Sequence, residues 1–352
     1  MKKFTVFSGF LGSGKTSTMI ALTKYFSAHH APAAMISNDL GSQSLADNKL
    51  AQLAGCRASE LLNDCICYQT ENLVERLDAL FAEGCELVIS DIPGFGVGAL
   101  DHVYHTLNRD YAERYELAPF TVLVESSTVA ALRSGSGGDL GYILNAQLME
   151  ADLIVLNKCD LLTAEERGSI LAWLKETYPH ADTVAISALT GEGLEELAQA
   201  LIKGSASLRL PDIGYGGAEF GKAMGRISEL YIQYYATICC DDFDGSAYLL
   251  ALADYLRGSA KILGRDIPHL KLLAWEAEGD YGKVDLIGVD RDAVLTHAFE
   301  KRCTEISVMV NASADCPAAE LERIVDEALD LISDDYMLEL MFFKRECFGM
   351  GG

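Results

Sequence analysis

The sequence predicts an α/β chain: a domain built on a mainly parallel sheet, followed by a smaller α+β domain with ferredoxin-like strand order. Three observations predict it. Short β-branched runs alternate with amphipathic stretches over residues 1–203, composition turns glycine-rich over 204–226, and residues 227–352 restart with a β-α-β-β-α-β pattern of their own. At 352 residues the chain also exceeds the size at which one hydrophobic core usually keeps growing.

In chain order, residues 4–8, 34–37, 87–90, 120–124, 153–156 and 183–186 are short apolar runs that read as strands buried on both faces. Residues 16–27, 71–82, 144–150, 164–177 and 194–201 carry helical periodicity between them. Parallel strands need such crossovers, and ligands in these folds bind at the carboxyl ends of the strands. After the glycine-rich linker come a strand at 230–239, a helix at 245–262, a strand at 269–276, an unassigned segment to 300 and a strand at 305–311. A helix at 317–332 and a strand at 337–343 complete the pattern. Asp315-Cys316-Pro317 is a good helix start, since proline suits the first turn.

Charge narrows the partners. A net charge of -24 repels phosphate backbones and anionic lipid, so neither nucleic acid nor membrane is expected as a partner. No apolar run reaches the roughly 18–20 residues of a membrane span. The apolar run after Lys2 and Lys3 stops at Gly9, which reads as a buried first strand and not an export signal. Without one, the ten cysteines are expected as reduced thiols in the cytoplasm.

The densest chemistry is Gly9-Phe-Leu-Gly12-Ser13-Gly14-Lys15-Thr16-Ser17, placed directly after a strand and before a helix. It is a P-loop. Its glycines let the backbone approach phosphate, and its N–H groups act with the helix N-terminus as an anion cradle. Lys15 offers a cation to the β- and γ-phosphates, and Thr16 a hydroxyl to Mg²⁺. Asn157-Lys158-Cys159-Asp160 follows a later strand, where the Asp160 carboxylate can accept from guanine N1 and N2; adenine has no matching donor pair. Ser187-Ala188-Leu189 can bring a backbone amide to guanine O6. Asp91-Ile-Pro-Gly94 supplies a second carboxylate for Mg²⁺ and an N–H to sense the γ-phosphate. Phe95 stands where some GTPases carry a water-positioning glutamine, so slow intrinsic hydrolysis of GTP is expected.

Between these motifs lie Asn38-Asp39-Leu-Gly41, Asp47 and Asn63-Asp64-Cys65-Ile66-Cys67-Tyr68. With them the chain resembles the CobW/HypB/UreG family of metal-related P-loop GTPases, and within it the CobW-like branch. The resemblance spans roughly residues 1–202 and takes in Gln147 and Thr190-Gly-Glu-Gly-Leu. It implies Asp47 in a switch that reaches Mg²⁺ or the γ-phosphate, and a cysteine segment that binds Zn²⁺, Co²⁺ or a similar ion under nucleotide control. This sequence departs from the family pattern in three places: Tyr68 replaces a third cysteine, and Asp39 and Asp91 replace glutamates. The histidine-rich stretch of many relatives is also absent.

Cys65 and Cys67, read as one extended segment, point to the same side. Two thiolates do not close a tetrahedral zinc site, so Asp39, Asp64, a second chain or the client would supply the rest. The plainer reading is two buried cysteines used as small hydrophobes. Elsewhere, His102 and His105 read as a solvated patch, His29-His30 as a polar helix end, and 326–335 as acidic surface. Cys239-Cys240 ends a strand with its side chains facing opposite ways. The first functional reading is a GTP-dependent chaperone delivering a metal ion or metallocofactor to a client metalloprotein, with a homodimer as one way to complete the site. Two others stay open: a GTPase that gates a cofactor-bearing (for instance corrinoid) enzyme without carrying free metal, and a regulatory switch that only recruits partners.

Overall fold

The computed structural model describes residues 2–42, 46–136, 138–238 and 242–350. Cys239, Cys240 and Asp241 lie outside them. The chain divides into two compact units, Met1–Ala223 and Met224–Gly352.

The first unit runs β1 (Lys3–Ser8), α1 (Lys15–His29), β2 (Ala33–Asn38), α2 (Ala46–Leu53), β3 (Ala58–Leu61), α3 (Thr70–Ala82) and β4 (Leu87–Asp91). A π-helical turn (Leu100–His105) leads into α4 (Thr106–Tyr111), then β5 (Glu116–Leu117), β6 (Thr121–Val124), α5 (Ser126–Ser134), α6 (Gly138–Glu150) and β7 (Leu153–Leu156). The rest is α7 (Ala164–Thr177), β8 (Asp182–Ala185), α8 (Leu194–Lys203) and α9 (Ala218–Met224). The strands form one parallel sheet in the order β3-β2-β4-β1-β6-β7-β8, with β5 also paired to β1. Phe4 and Val6 face one helix layer, and Phe7 faces the other, with Met19 and Leu22 of α1. That explains why each strand reads as a continuous apolar run.

Because β1 has β4 on one side and β6 on the other, the loops at its carboxyl end open where the chain changes direction across the sheet. Residues 204–217 run along this unit. Ala206 N–H donates to Leu117 O at 3.0 Å, and Arg209 Nη2 donates to Met149 O and Ala151 O, each at 3.2 Å. Ala206 and Leu208 pack against the core.

The second unit runs β9 (Ser228–Ile238), α10 (Gly245–Ile262), β10 (His269–Trp275), β11 (Tyr281–Leu286), β12 (Val294–His297), β13 (Glu305–Ala314), α11 (Ala318–Tyr336) and β14 (Leu338–Gly349). Its antiparallel sheet has the order β12-β11-β10-β13-β9-β14. Numbering β9, β10, β13 and β14 as 1 to 4, the order is 2-3-1-4, the ferredoxin-like arrangement expected, with the unassigned segment forming two extra strands beyond β10. Leu230, Ile232, Tyr234 and Ala236 alternate onto the face covered by α10 and α11.

Candidate functional site

The loop between β1 and α1 is shaped by its glycines. Gly9, Gly12 and Gly14 have φ of 134°, 75° and 88°, a region that L side chains rarely adopt. A Cβ on Gly9 would lie 2.3 Å from Leu123 O, and one on Gly14 2.3 Å from Asn157 Nδ2, so no alanine fits either place. Lys15 Nζ curls back to Gly9 O at 2.6 Å, over the cradle. Ser13 Oγ is buried without a hydrogen-bond partner among the described residues, and Ser17 is exposed on the first turn of α1.

The loops after β7 and β8 lock onto this cradle. Asn157, at the end of β7, donates from Nδ2 to Ser13 O at 2.9 Å and accepts at Oδ1 from Ala188 N at 3.1 Å. It therefore joins the phosphate loop to the loop after β8. Lys158, left-handed at φ 61°, extends Nζ to Gly12 O at 2.8 Å and to Glu125 Oε2 at 2.9 Å. Ser187 is buried, and its Oγ accepts from Thr190 N at 3.1 Å. Asp160 lies exposed in the turn Cys159–Leu161. Leu161 and Leu189 stand 74% and 84% exposed on these two loops, apolar surface that a stacked base would cover.

On the other side of Lys15, Thr16 Oγ1 donates to Asp47 Oδ2 at 2.7 Å. Asp91 ends β4, and its Oδ1 accepts from Asn38 N at 2.8 Å. Burial pushes the Asp91 carboxyl up to about 8, reinforced by Asp47 and Asp39 and opposed by the Asn38 N–H and Lys15. A hydroxyl among mutually repelling carboxylates is the donor set a hard divalent cation takes. Gly94 follows on a closely packed loop, where an added Cβ would meet Leu11 Cδ2 at 2.3 Å.

Asn38 ties this charged cluster to the cysteines. Its Nδ2 donates to Leu61 O at 3.2 Å and Asp64 O at 2.8 Å, and its Oδ1 accepts from Ile66 N at 2.9 Å. The segment is not extended throughout, as its sequence suggested. Cys65 is extended, but Ile66–Tyr68 form a 3₁₀ turn that brings the two sulfurs to 3.0 Å. The hydrogen bond to Cys65, then burial, pushes the Cys67 thiol well up. Asp39 does not complete a three-ligand set with this pair: among the described residues, no three His, Cys, Asp or Glu converge to hold a metal. Its Oδ1 instead accepts from Leu40 N at 2.9 Å. Tyr68, in place of a third cysteine, sets its hydroxyl against that of Tyr215. His102 packs at a tilt against both of these rings and His105 Nε2 bonds Leu208 O at 2.9 Å, so the pair is packed and not a solvated patch.

Residues 3–185 match the nucleotide-binding domain of the CobW/HypB/UreG family. The chain belongs to that family. It is a P-loop GTPase, related to metal chaperones. Solved structures similar to it include a Zn(II)-bound YjiA GTPase from E. coli, 15% identical, which matches over 94% of this chain and 98% of that one at a TM-score of 0.36. HypB from Helicobacter pylori in complex with nickel is 17% identical over 57% of this chain and 85% of that one, at a TM-score of 0.40. No described helix is long and apolar enough to cross a membrane.

Within this GTPase, sequence reasoning gave no role to Asn38, Gln147 or Glu150, because each acts through a partner distant in sequence. Glu150 closes α6 and accepts from Gly98 N at 2.7 Å and Leu100 N at 3.3 Å. Burial raises its carboxyl from 4.5 to about 7 against those two N–H groups, with Asp101 adding to the rise. The Cys67 thiol faces the same carboxylate. An acid raised in the fold loses its proton first in the unfolded chain. The contribution of Glu150 to stability is then expected to fall by about 2–3 kcal/mol as pH rises from about 4.5 to about 7, and to flatten above. Urea denaturation at pH 5 and 7.5, with Glu150→Gln beside the natural chain, checks this: the variant should lose the Glu150 share of the slope and keep the share due to Asp91, whose carboxyl is also raised.

Proposed function

We propose that this GTPase is a chaperone that hands a metal ion, or a cofactor containing one, to a client protein, with the bound nucleotide setting when. The observation that carries the reading is the route from Asp91 through Asn38 to the converged thiols of Cys65 and Cys67. A pair of thiols on which no third protein ligand converges among the described residues suits a soft ion in transit better than one held permanently.

In the hydrolytic half of the cycle, the Gly9–Gly14 backbone and Lys15 hold the phosphates of GTP, while Asn157, Asp160 and Ala188 hold the base. Thr16, Asp47 and Asp91 are the residues that would hold Mg²⁺, which would supply positive charge to offset that of the phosphates. Water attacks the γ-phosphorus, the bond to the β-γ bridging oxygen breaks, and GDP and phosphate leave. Phe95 is 2% exposed and packs edge-on against Phe10, with ring centroids 5.6 Å apart, so it cannot orient that water. Slow turnover follows, which suits a timed switch. When the γ-phosphate is lost, contacts around Asp91 relax, and the Asn38 side chain carries the change to the backbone of Asp64 and Ile66.

The test is an anaerobic calorimetric titration of reduced protein with Zn²⁺ and then Co²⁺. It is run with Mg-GDP and with a non-hydrolysable GTP analogue, beside Cys65→Ser/Cys67→Ser. Stoichiometric binding that shifts with nucleotide and disappears in the variant is the expected result. Binding unchanged in the variant would remove the carrier role and favour a GTPase acting on a cofactor-bearing client without free metal.

A further inference from the structure

The loop that follows Asp91 is gripped by one turn of α6. Gly96 N–H closes a tight turn on Pro93 O at 2.7 Å, and Ile92 N–H reaches Phe7 O at 3.3 Å. On the phosphate-loop side, Gly94 sits against Leu11 and Phe95 against Phe10, leaving the backbone no room to retreat. On the other side, Gln147 Nε2 donates to Gly94 O at 3.1 Å and to Gly96 O at 3.0 Å. Three residues on, Glu150 accepts from Gly98 and Leu100. The spacing places both side chains on one face of the helix, each reading the polarity of the backbone before it.

Gln147 is fully buried, and its Oε1 has no hydrogen-bond partner among the described residues. A buried amide oxygen left without a donor costs stability, so it calls for an explanation in a second state. Rotating the peptide between Gly94 and Phe95 removes the Gly94 carbonyl from Gln147 Nε2 and turns the Phe95 N–H toward the amide. Gln147 Oε1 is the acceptor such a rotation needs. One side chain can therefore hold this loop with a carbonyl turned toward α6, or with an N–H turned toward it.

We propose that Gln147 is a positioning residue for GTP hydrolysis, holding the 93–98 loop in two arrangements that differ by a peptide rotation next to Gly94. This rests on reading Gly94 as the γ-phosphate sensor. Gln147 touches no phosphate itself. It sets the relative stability of the loop with and without the γ-phosphate, and so should act on the GTP state and on turnover more than on GDP binding.

The experiment compares the full-length natural chain with Gln147→Met, which keeps length and removes donor and acceptor, and with Gln147→Asn, which keeps the amide one methylene short. Dissociation constants for Mg-GDP and for a non-hydrolysable GTP analogue are measured by stopped-flow fluorescence, and kcat and KM by phosphate release. Expected in Gln147→Met are a GDP affinity within about twofold, a fall in kcat of about tenfold and a loss of analogue affinity of similar size, since one buried hydrogen bond is at stake. Gln147→Asn should lie between the two, and it serves alone if the Met variant does not fold. Equal losses for GDP and analogue, or an unchanged kcat, would reduce Gln147 to a packing residue. Gly94→Ala separates the two ideas. A changed analogue-to-GDP ratio there, with none in Gln147→Met, overturns the role of Gln147 alone, and no change in either overturns the sensor reading as well.

Discussion

Asp160→Asn is expected to weaken GTP binding by about 10²–10³-fold while strengthening binding of xanthosine triphosphate. Guanine presents two donors on one edge, N1–H and the N2 amino group, and only an acceptor-only carboxylate meets both. An asparagine in the same place offers one acceptor and one amide donor, which would face the N2 amino group and leave both unpaired. Xanthine replaces that amino group with a carbonyl, so the same amide then finds its partner. The turn carrying Asp160 is fixed from elsewhere, by Cys159 N–H on Ile186 O at 3.0 Å and by Asn157 between Ser13 and Ala188. The side chain itself is exposed, so the fold should be unaffected. Competition among GTP, xanthosine triphosphate and ATP, with a thermal melt as control, measures this. If all three nucleotides weaken together, Asp160 does not read the base.

What was legible in the sequence is what local order encodes. The phosphate loop needs glycines at fixed spacing between one strand and one helix, so Gly9–Thr16 could be placed from eight residues of text. Asp91 and Asn157 could be placed because each follows an apolar run that has no other reading. By contrast α2, with the sequence ADNKLAQL, is only eight residues long, too short for periodicity to declare it, and β3 (ASEL) has no β-branched residue. They exist because β2 lends β3 a parallel partner, which no local pattern announces. Side-chain function depends in the same way on distant chain. Gln147 looked like one residue of a helix, and its meaning lies in the carbonyls of Gly94 and Gly96. The closeness of the two cysteine sulfurs was anticipated on the wrong backbone, since the 3₁₀ turn at Ile66 is induced by Asn38 from across the sheet edge.

Asn38→Leu is the other change expected to have a large effect, because the two side chains share the same branching and number of heavy atoms but only one is polar. The asparagine is 3% exposed and satisfies two carbonyls and one N–H from three separate positions, Leu61, Asp64 and Ile66. Leucine would leave all three groups short of a partner. At about 1–3 kcal/mol for each group left unsatisfied, partly relieved by water near Asp64, the loss should come to about 3–5 kcal/mol. In a unit of this size that lowers the melting temperature by about 10 °C. Asn38→Asp should be milder: it retains an acceptor for Ile66 N–H but loses both donations, and it adds a carboxylate beside Asp91. In both variants the backbone N–H of residue 38 still reaches Asp91, and the phosphate cradle and the loops after β7 and β8 are untouched, so GDP binding should survive. The link from Asp91 to Cys65 and Cys67 should not. Zinc titrated into either variant is therefore expected to bind equally with GDP and with the GTP analogue, whereas the natural chain is expected to discriminate. A variant that still discriminates as the natural chain does would mean that nucleotide state reaches the thiols by another path, such as the packing of Tyr68 against His102 and Tyr215.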